Sequence, residues 1–374
     1  MKEYSMTNRE KLRRIDPVVL FCVIGMNIMS IITLASIADY KGTWYPKMQT
    51  IVSLVSFAVM LVITFIDYDA LFTKVGFWFI GISVAMILIV KIFGSGSLGN
   101  ENWITIPGTS ISVQPTEFVK ITFIIPFALH LSKVRDKINK PLTVLGLAAH
   151  AGFIIGLLLW QGDLGMTLVY LAIAAIMLFG AGLSLWYFAG VIAAGLVASP
   201  FIWSILSENQ QNRILFGFNP DLDPLGKGWD GIHSRNCIIS GGFRGAGFSG
   251  GTKYKSIYAI QSDFCFSALA EKFGFLGTLL YLILITVLII RILWIAKNTR
   301  KKYASYLCVG IAGMLIAQTT ENIGMCLALL PVVGITLPFM SYGTSSLLSL
   351  YICIGIVQSI CAHNGKYYFD RENE

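Results

Sequence analysis

Runs of mostly apolar residues recur along the whole chain, near 17–38, 48–66, 72–92, 117–132, 142–160, 164–180, 184–206, 266–296, 303–323 and 337–361. A helix needs roughly 20 apolar residues to cross the ~30 Å hydrocarbon core of a bilayer. The run near 117–132 is short and carries Glu117 and Lys120. Those near 142–160 and 164–180 are parted only by "QGDLG" (161–165), but their combined length requires two helices. Only 13% of the 374 residues are charged and 55% are hydrophobic, whereas a soluble domain needs about 25% charged residues to cover its surface. The pattern predicts an all-α polytopic membrane protein with about ten transmembrane helices. It forms one domain over 1–374, with a large extracytoplasmic loop, 207–264, between spans 7 and 8. Arg13 and Arg14 precede the first run and "SIA" (36–38) resembles a cleavage site, but the run is too long for a signal-peptide core. An uncleaved first span is expected.

The basic residues set the orientation. A net charge of +8 would suit a nucleic-acid binder, but the cations fall in short clusters between apolar runs, as in cytoplasmic loops, so no nucleic acid partner is expected. With the N-terminus inside, sixteen lie in cytoplasmic segments: Lys2, Arg9, Lys11, Arg13 and Arg14; Lys74; Lys133, Arg135, Lys137 and Lys140; Lys297, Arg300, Lys301 and Lys302; Lys366 and Arg371. The short outer segments and span ends hold three, Lys41, Lys47 and Lys91. Both termini are therefore expected in the cytoplasm of a multi-pass plasma-membrane protein. The polar and helix-breaking oddities then converge on the outer face: Asp163, the loop 94–120, Asp263 at the end of the large loop, Glu321, and the stretch Pro331–Pro338.

Asp263 has two compatible readings. Placed ahead of an apolar helix, Ser262 or Asp263 can cap free N–H groups; an outward-facing carboxylate at the membrane surface can also act as a general base. Glu117 and Lys120, three apart on a helix, can pair. They either ease insertion of a marginal span or form a polar cavity wall offering Lys120 to an anionic ligand. Asp163 reads as a cap that can also face the same cavity. In "IISGGFRGAGFSGGTKYK" (238–255) the crowded glycines suggest close backbone approach or a lid. Arg244, Lys253 and Lys255 hint at an anion, but no phosphate-cradle pattern is present, and a solvated flexible loop is expected. "LPFMSYGTSSLL" (337–348) opens the last span, where Pro338 and Gly343 loosen the helix and Ser341, Thr344, Ser345 and Ser346 can satisfy freed backbone groups. His130 and His150 are expected to be hydrogen-bonded interior histidines. The seven cysteines, without metal-ligand spacing, read as small buried apolar residues.

Four motifs in order, "QPTEFVK" (114–120), "QGDLG" (161–165), "SDFCFSALAEKFGFLG" (262–277) and "NIGMCLALLPVVGITLPFMSYGTSSLLS" (322–349), carry a resemblance that spans nearly the whole chain. The sequence resembles the SEDS family of shape, elongation, division and sporulation proteins, the group of RodA, FtsW and SpoVE. The resemblance implies a ten-span peptidoglycan glycosyltransferase that polymerises lipid II on the outer face beside a class B penicillin-binding protein. Asp263 matches the family's essential aspartate, Glu117 and Lys120 its acid–base pair in the fourth span, and Asp163 its aspartate before the sixth. The chain departs from the family at "GNENWI" (99–104), where a basic stretch is usual, and at "IYA" (257–259). It also has Lys272 where a second glutamate is usual, and Thr344 where a glycine is usual. These changes suggest a divergent paralogue.

The chemistry that follows is attack of a sugar hydroxyl on a lipid-linked sugar pyrophosphate with inversion. A base and a charge stabiliser suffice, because the leaving group is a good one. Asp263 is the expected base. Glu117, Lys120, Asp163, Arg213, Arg244 and Ser341 are the expected substrate-binding set. Cations for the pyrophosphate come from Lys120, Arg213, Arg244 or a bound divalent ion such as Mg. The partners are lipid II, the transpeptidase and membrane lipid. A lipid II flippase would distribute charges through the membrane depth; their gathering on one side favours the enzyme. An inactive scaffold for a penicillin-binding protein is the other alternative.

Overall fold

The protein is seen in a computed structural model, described over residues 13–94, 102–105 and 112–363. Lys2, Arg9, Lys11, Lys366 and Arg371 of the basic set, and residues 99–101 of "GNENWI", lie outside the described residues. The described chain is almost wholly helical: α1 Pro17–Ser36, α2 Trp44–Phe65, α3 Tyr68–Val75, α4 Trp78–Phe93, α5 Thr116–Val134, α6 Pro141–Gln161, α7 Leu164–Gly180, α8 Leu185–Ile205, α9 Glu208–Phe218, α10 Trp229–Gly241, α11 Cys265–Asn298, α12 Lys302–Cys326 and α13 Thr344–His363. Two two-residue strands, Ile104–Thr105 and Ser112–Val113, pair antiparallel ahead of α5.

Five helices, α1, α2, α6, α11 and α13, are long and apolar enough to cross a membrane unaided, and the bent pair α3 and α4 makes a sixth. The helices α7 and α8 are apolar over shorter lengths. The long helices α5 and α12 carry buried polar groups, among them Glu117, Lys120, Gln318 and Asn322. The bundle is built inside out for lipid: α13 and α5 are buried almost all round, while Leu185, Trp186, Val191, Leu196 and Val197 of α8 are exposed. Apolar side chains facing outward cost nothing in hydrocarbon, whereas every backbone polar group must be paired within the helices.

Three boundaries differ from the sequence reading. The run 72–92 is broken: α3 and α4 meet at a 75° bend, with Asp67 accepting from the N–H groups of Asp69 and Ala70 to start the short α3. Within α11, Gly274 has φ 64, so a short helix precedes the span proper. The last helix starts at Thr344, and residues 327–343 run into it as irregular backbone rather than as a loosened first turn. That stretch is mostly buried in protein, where irregular backbone at membrane depth is tolerated. Ala328 (φ 54) and Phe339 (φ 58) lie in it in the left-handed region, a conformation costly for bulky residues.

The two ends of the bundle are distinct. Asp16 caps α1, bonds Gln358 of α13 through its backbone, and pairs with Arg291 of α11 at 2.7 Å. Asp69 meets Lys301 and Tyr303 at the same end. These are segments that the basic-residue distribution assigns to one side, and we call this the inner end. All seven cysteines are free and buried. His130 and His150 bond each other, Nδ1 to Nδ1 at 3.0 Å, as expected of interior histidines.

Candidate active site

The other end of the bundle holds the site. Its floor is the ion pair of α5. Glu117 sits in the first turn and Lys120 one turn on, and Lys120 Nζ donates to Glu117 Oε2 at 2.6 Å with both side chains essentially unexposed. Ser349 of α13 adds a bond to the same carboxylate oxygen at 3.4 Å. Two charges withdrawn from water are held only by such mutual satisfaction.

Asp163 lies where α6 ends and α7 begins. It caps α7, Oδ1 accepting from Met166 N at 3.0 Å, so the capping expectation holds. Its second oxygen does other work. Oδ2 accepts from Asn102 Nδ2 at 2.7 Å, and Asn102 Oδ1 accepts from Gln161 Nε2 at 3.1 Å. Burial pushes the Asp163 carboxyl up to about 6; the Glu117 charge pushes the same way, while the Met166 N–H, Arg213 and Lys120 oppose it.

Asp263 is not a cap, which corrects one sequence reading. The helix starts at Cys265, its N-cap is Phe264, and no side chain bonds the first turn. The residue is held instead by its backbone. Asn322 Nδ2 donates to the Asp263 carbonyl at 2.7 Å and to that of Ile335 at 2.6 Å. Ser341 Oγ donates to the Ser262 carbonyl and accepts from Leu337 N. Tyr342 N donates to the Gln261 carbonyl at 2.9 Å. The irregular stretch 335–342 and Asn322 thus hold the backbone of residues 261–263, and the carboxylate, with Ser262 beside it, is spent on no helix cap. Gly334 (φ +71) lies against it; a Cβ there would stand 3.3 Å from Asp263 Oδ2.

Burial also pushes the Asp263 carboxyl up to about 6, with the nearby Asp230 charge adding to the rise and Ser262 and Arg213 opposing it. The side chain is half-buried, so water screens part of that push. Arg213, half-buried on α9, is close enough to favour the charged forms of both Asp163 and Asp263. Glu321 is within electrostatic reach of Asp163. Among the described residues, Gln161 Oε1, Gln261 Oε1 and Glu321 Oε2 are buried without a hydrogen-bond partner, and polar atoms left so are ready contacts for a ligand.

The structure therefore brings Glu117, Lys120, Asp163, Arg213 and Asp263 to one end of the bundle. Ser341 is there too, buried and bonded to backbone. Arg244 is apart: it is exposed, and its backbone packs on Gly274, about 14 Å of helix beyond Cys265 at 1.5 Å per residue. Sequence reasoning missed Asn102, Asn322 and Asp230. Asn322 lies inside the quoted "NIGM" motif, but its partners are distant in sequence. No three His, Cys, Asp or Glu side chains among the described residues gather to hold a metal ion. The described residues do not by themselves make an Mg site.

The glycine-rich loop is not the flexible segment expected. It is bonded down onto α11: Ala246 N and Gly247 N donate to the carbonyls of Glu271 and Lys272 at 2.8 and 3.0 Å, and Phe275 N to that of Gly242 at 2.9 Å. The glycines serve this approach. At Gly251 (φ +76) a Cβ would come within 2.7 Å of Glu271 Oε1.

Fold and site together define a multi-pass helical membrane protein with a cluster of buried and half-buried ionisable residues at one end of the bundle. A model of the FtsW/RodA/SpoVE cell cycle proteins matches residues 14–366, and the chain belongs to that family. It is 32% identical to a probable peptidoglycan glycosyltransferase FtsW of Trichlorobacter lovleyi, covering 94% of each chain. It is 35% identical to the peptidoglycan glycosyltransferase MrdB of Escherichia coli over 75% of this chain and 76% of that one. With stage V sporulation protein E of Bacillus subtilis the identity is 33%, over 92% and 95%. Among solved structures, a peptidoglycan synthase complex described as coordinating polymerization and crosslinking superposes with a TM-score of 0.78 at 25% identity, covering 94% of this chain and 99% of that one. The rod shape determining protein RodA of Thermus thermophilus gives 0.68 at 23%, covering 94% and 98%, a likeness of fold.

Proposed function

We propose that this protein is a peptidoglycan glycosyltransferase that polymerises lipid II at the outer face of the plasma membrane, with Asp263 as the base. One observation carries the assignment of the base. Asp263 is held through its backbone, spends its carboxylate on no helix cap, and stands with Arg213 and Asp163 at the end of the bundle. The carboxylate takes the proton from the acceptor's sugar hydroxyl as that oxygen attacks the anomeric carbon of the donor. The bond to the pyrophosphate breaks, its electron pair leaves with the lipid pyrophosphate, and the α-linked donor becomes a β-1,4 link. Arg213 and Lys120 are the cations for the charge that grows on the pyrophosphate. The lipid tails remain among the apolar outer helices. By likeness to the synthase complex, a class B penicillin-binding protein is the proposed partner. Glycan-strand synthesis from lipid II by purified protein, with and without a transpeptidase, tests the reading. Movement of lipid II across vesicles without polymer would mark a flippase, and inertness beside an active partner a scaffold.

The base must be ionised to work. With its pKa raised to about 6, turnover should rise with pH through about 6 and level off above about 7. Stability runs the other way. The protonated carboxyl is the better-tolerated form, so its contribution is whole below about pH 4, near the unfolded value, and is lost as pH rises through about 6. A rate flat from pH 5 to 8, with chemistry limiting, would remove a carboxylate of this kind from the proton transfer.

The orientation has its own test. Single cysteines placed at Lys137 and Asp230 of a cysteine-free background should label only from the cytoplasm and only from outside, respectively. Labelling of position 137 from outside would reverse the assignment of the site to the outer face.

A further inference from the structure

The run that leads into Asp263 is held by a set of charges outside the site. Glu271, unexposed in the first turns of α11, accepts from Lys253 N at 2.8 Å, from Tyr254 N at 2.7 Å and from the Cys237 thiol at 2.9 Å. Lys272, equally buried, donates to the carbonyls of Gly250 at 2.7 Å and Phe248 at 3.3 Å, and its ammonium lies 4.4 Å from the centre of the Tyr254 ring. The Tyr254 hydroxyl then donates to Asp39 Oδ1 at 2.5 Å, and Lys255 pairs with Asp39 Oδ2 at 2.8 Å. Asp39 belongs to the outer tip between α1 and α2. From the same tip Lys41 donates to the Tyr258 carbonyl at 2.6 Å. Opposite them, Trp229 Nε1 donates to the Ser256 carbonyl at 2.8 Å.

We infer that Lys272, Tyr254 and Asp39 form a clasp between α11 and the tip of the first hairpin, and that it positions Asp263 for proton transfer. The inference rests on the catalytic reading of Asp263. Residues 253–258 are caught on three sides only a few positions upstream of that carboxylate. A buried ammonium is costly unless each of its donors is met. Lys272 meets that need with two loop carbonyls and an aromatic face, so it ties the loop down rather than merely filling space. A carboxylate at position 272 would face two carbonyl oxygens and the ring's negative face, and the clasp would open. Arginine at 272 keeps the charge and the donors. Tyr254→Phe removes a single hydroxyl, and with it the link to Asp39.

The test uses the full-length protein with its transpeptidase partner. Hydrogen exchange is followed over 245–262, and turnover and KM for lipid II are measured for wild type, Lys272→Glu, Lys272→Arg and Tyr254→Phe. Faster exchange at the Lys253 and Tyr254 amides is expected in Lys272→Glu, with unchanged exchange in α5 and α13. Its kcat should fall about tenfold at nearly constant KM, within the hundredfold that an ångström-scale misplacement costs. Tyr254→Phe should fall less, and Lys272→Arg should restore both readouts. Unchanged exchange in Lys272→Glu would overturn the clasp, and loosened exchange with wild-type kcat would overturn its positioning role. If Lys272→Glu does not fold, Tyr254→Phe carries the same two readouts. If the wild-type protein makes no polymer, it is the glycosyltransferase reading that fails, and with it the positioning role; exchange still decides whether the clasp exists.

Discussion

Asp263→Asn should fold and express like wild type and synthesise almost no glycan strand. The amide has nearly the same shape as the carboxylate, and the bonds that hold residue 263 run through its carbonyl, to Asn322. No helix cap is lost, because the first turn of α11 takes no bond from this side chain. What disappears is the ability to accept the hydroxyl proton, and general-base catalysis contributes about 10²–10⁴-fold. Asp263→Glu keeps the carboxylate but moves it by one methylene in a site where even a Cβ on Gly334 would stand 3.3 Å from Asp263 Oδ2, so a fraction of the activity is expected. A melting curve for each variant separates chemistry from folding. Near-wild-type synthesis by Asp263→Asn would move the base elsewhere, with Asp163 next in line.

The Glu117–Lys120 pair should behave differently, with stability and activity falling together. Either single change, Glu117→Gln or Lys120→Met, leaves the other charge buried and unpaired, which costs about 3–5 kcal/mol. Both groups are essentially unexposed, so water does not soften that penalty. The double variant removes both charges and should recover expression and melting temperature. It should not recover synthesis, since the positive charge of Lys120 is then missing from the site. A double variant that polymerises normally would reduce the pair to a device for holding α5 in the bundle.

The residues legible in the sequence were those whose placement is expensive. Charges in apolar runs are conspicuous because hydrocarbon penalises them, and Glu117, Lys120, Asp163 and Asp263 all stood out on that ground. That Asp163, Asp263 and the loop leading into Glu117 and Lys120 share one end was anticipated from the topology set by the basic residues, whereas nothing in the sequence separated Arg213, which lies there, from Arg244, which does not. Asn102, which holds Asp163 across 61 positions, and Asn322, which holds Asp263 across 59, gave no local sign. A lone amide is neutral, and its partner is set by the packing of helices. The glycine-rich loop was misread because glycine signals close approach without saying to what; the surface approached was the Glu271–Gly274 turn. The breaks after α3 and at Gly274, and the late start of α13, were hidden because apolar composition continues through them. The departure at Lys272, unexplained as sequence, has partners once Gly250 and Tyr254 are seen beside it.

The most direct test of the central claim is polymerisation itself. Purified wild-type protein, alone and with a class B penicillin-binding protein whose transpeptidase is blocked, is given lipid II, and the products are resolved by strand length. A ladder of uncrosslinked β-1,4 glycan strands, present with wild type and absent with Asp263→Asn at equal melting temperature, is the predicted result. A ladder of equal strength from the two proteins, or lipid II recovered intact from both, would contradict it.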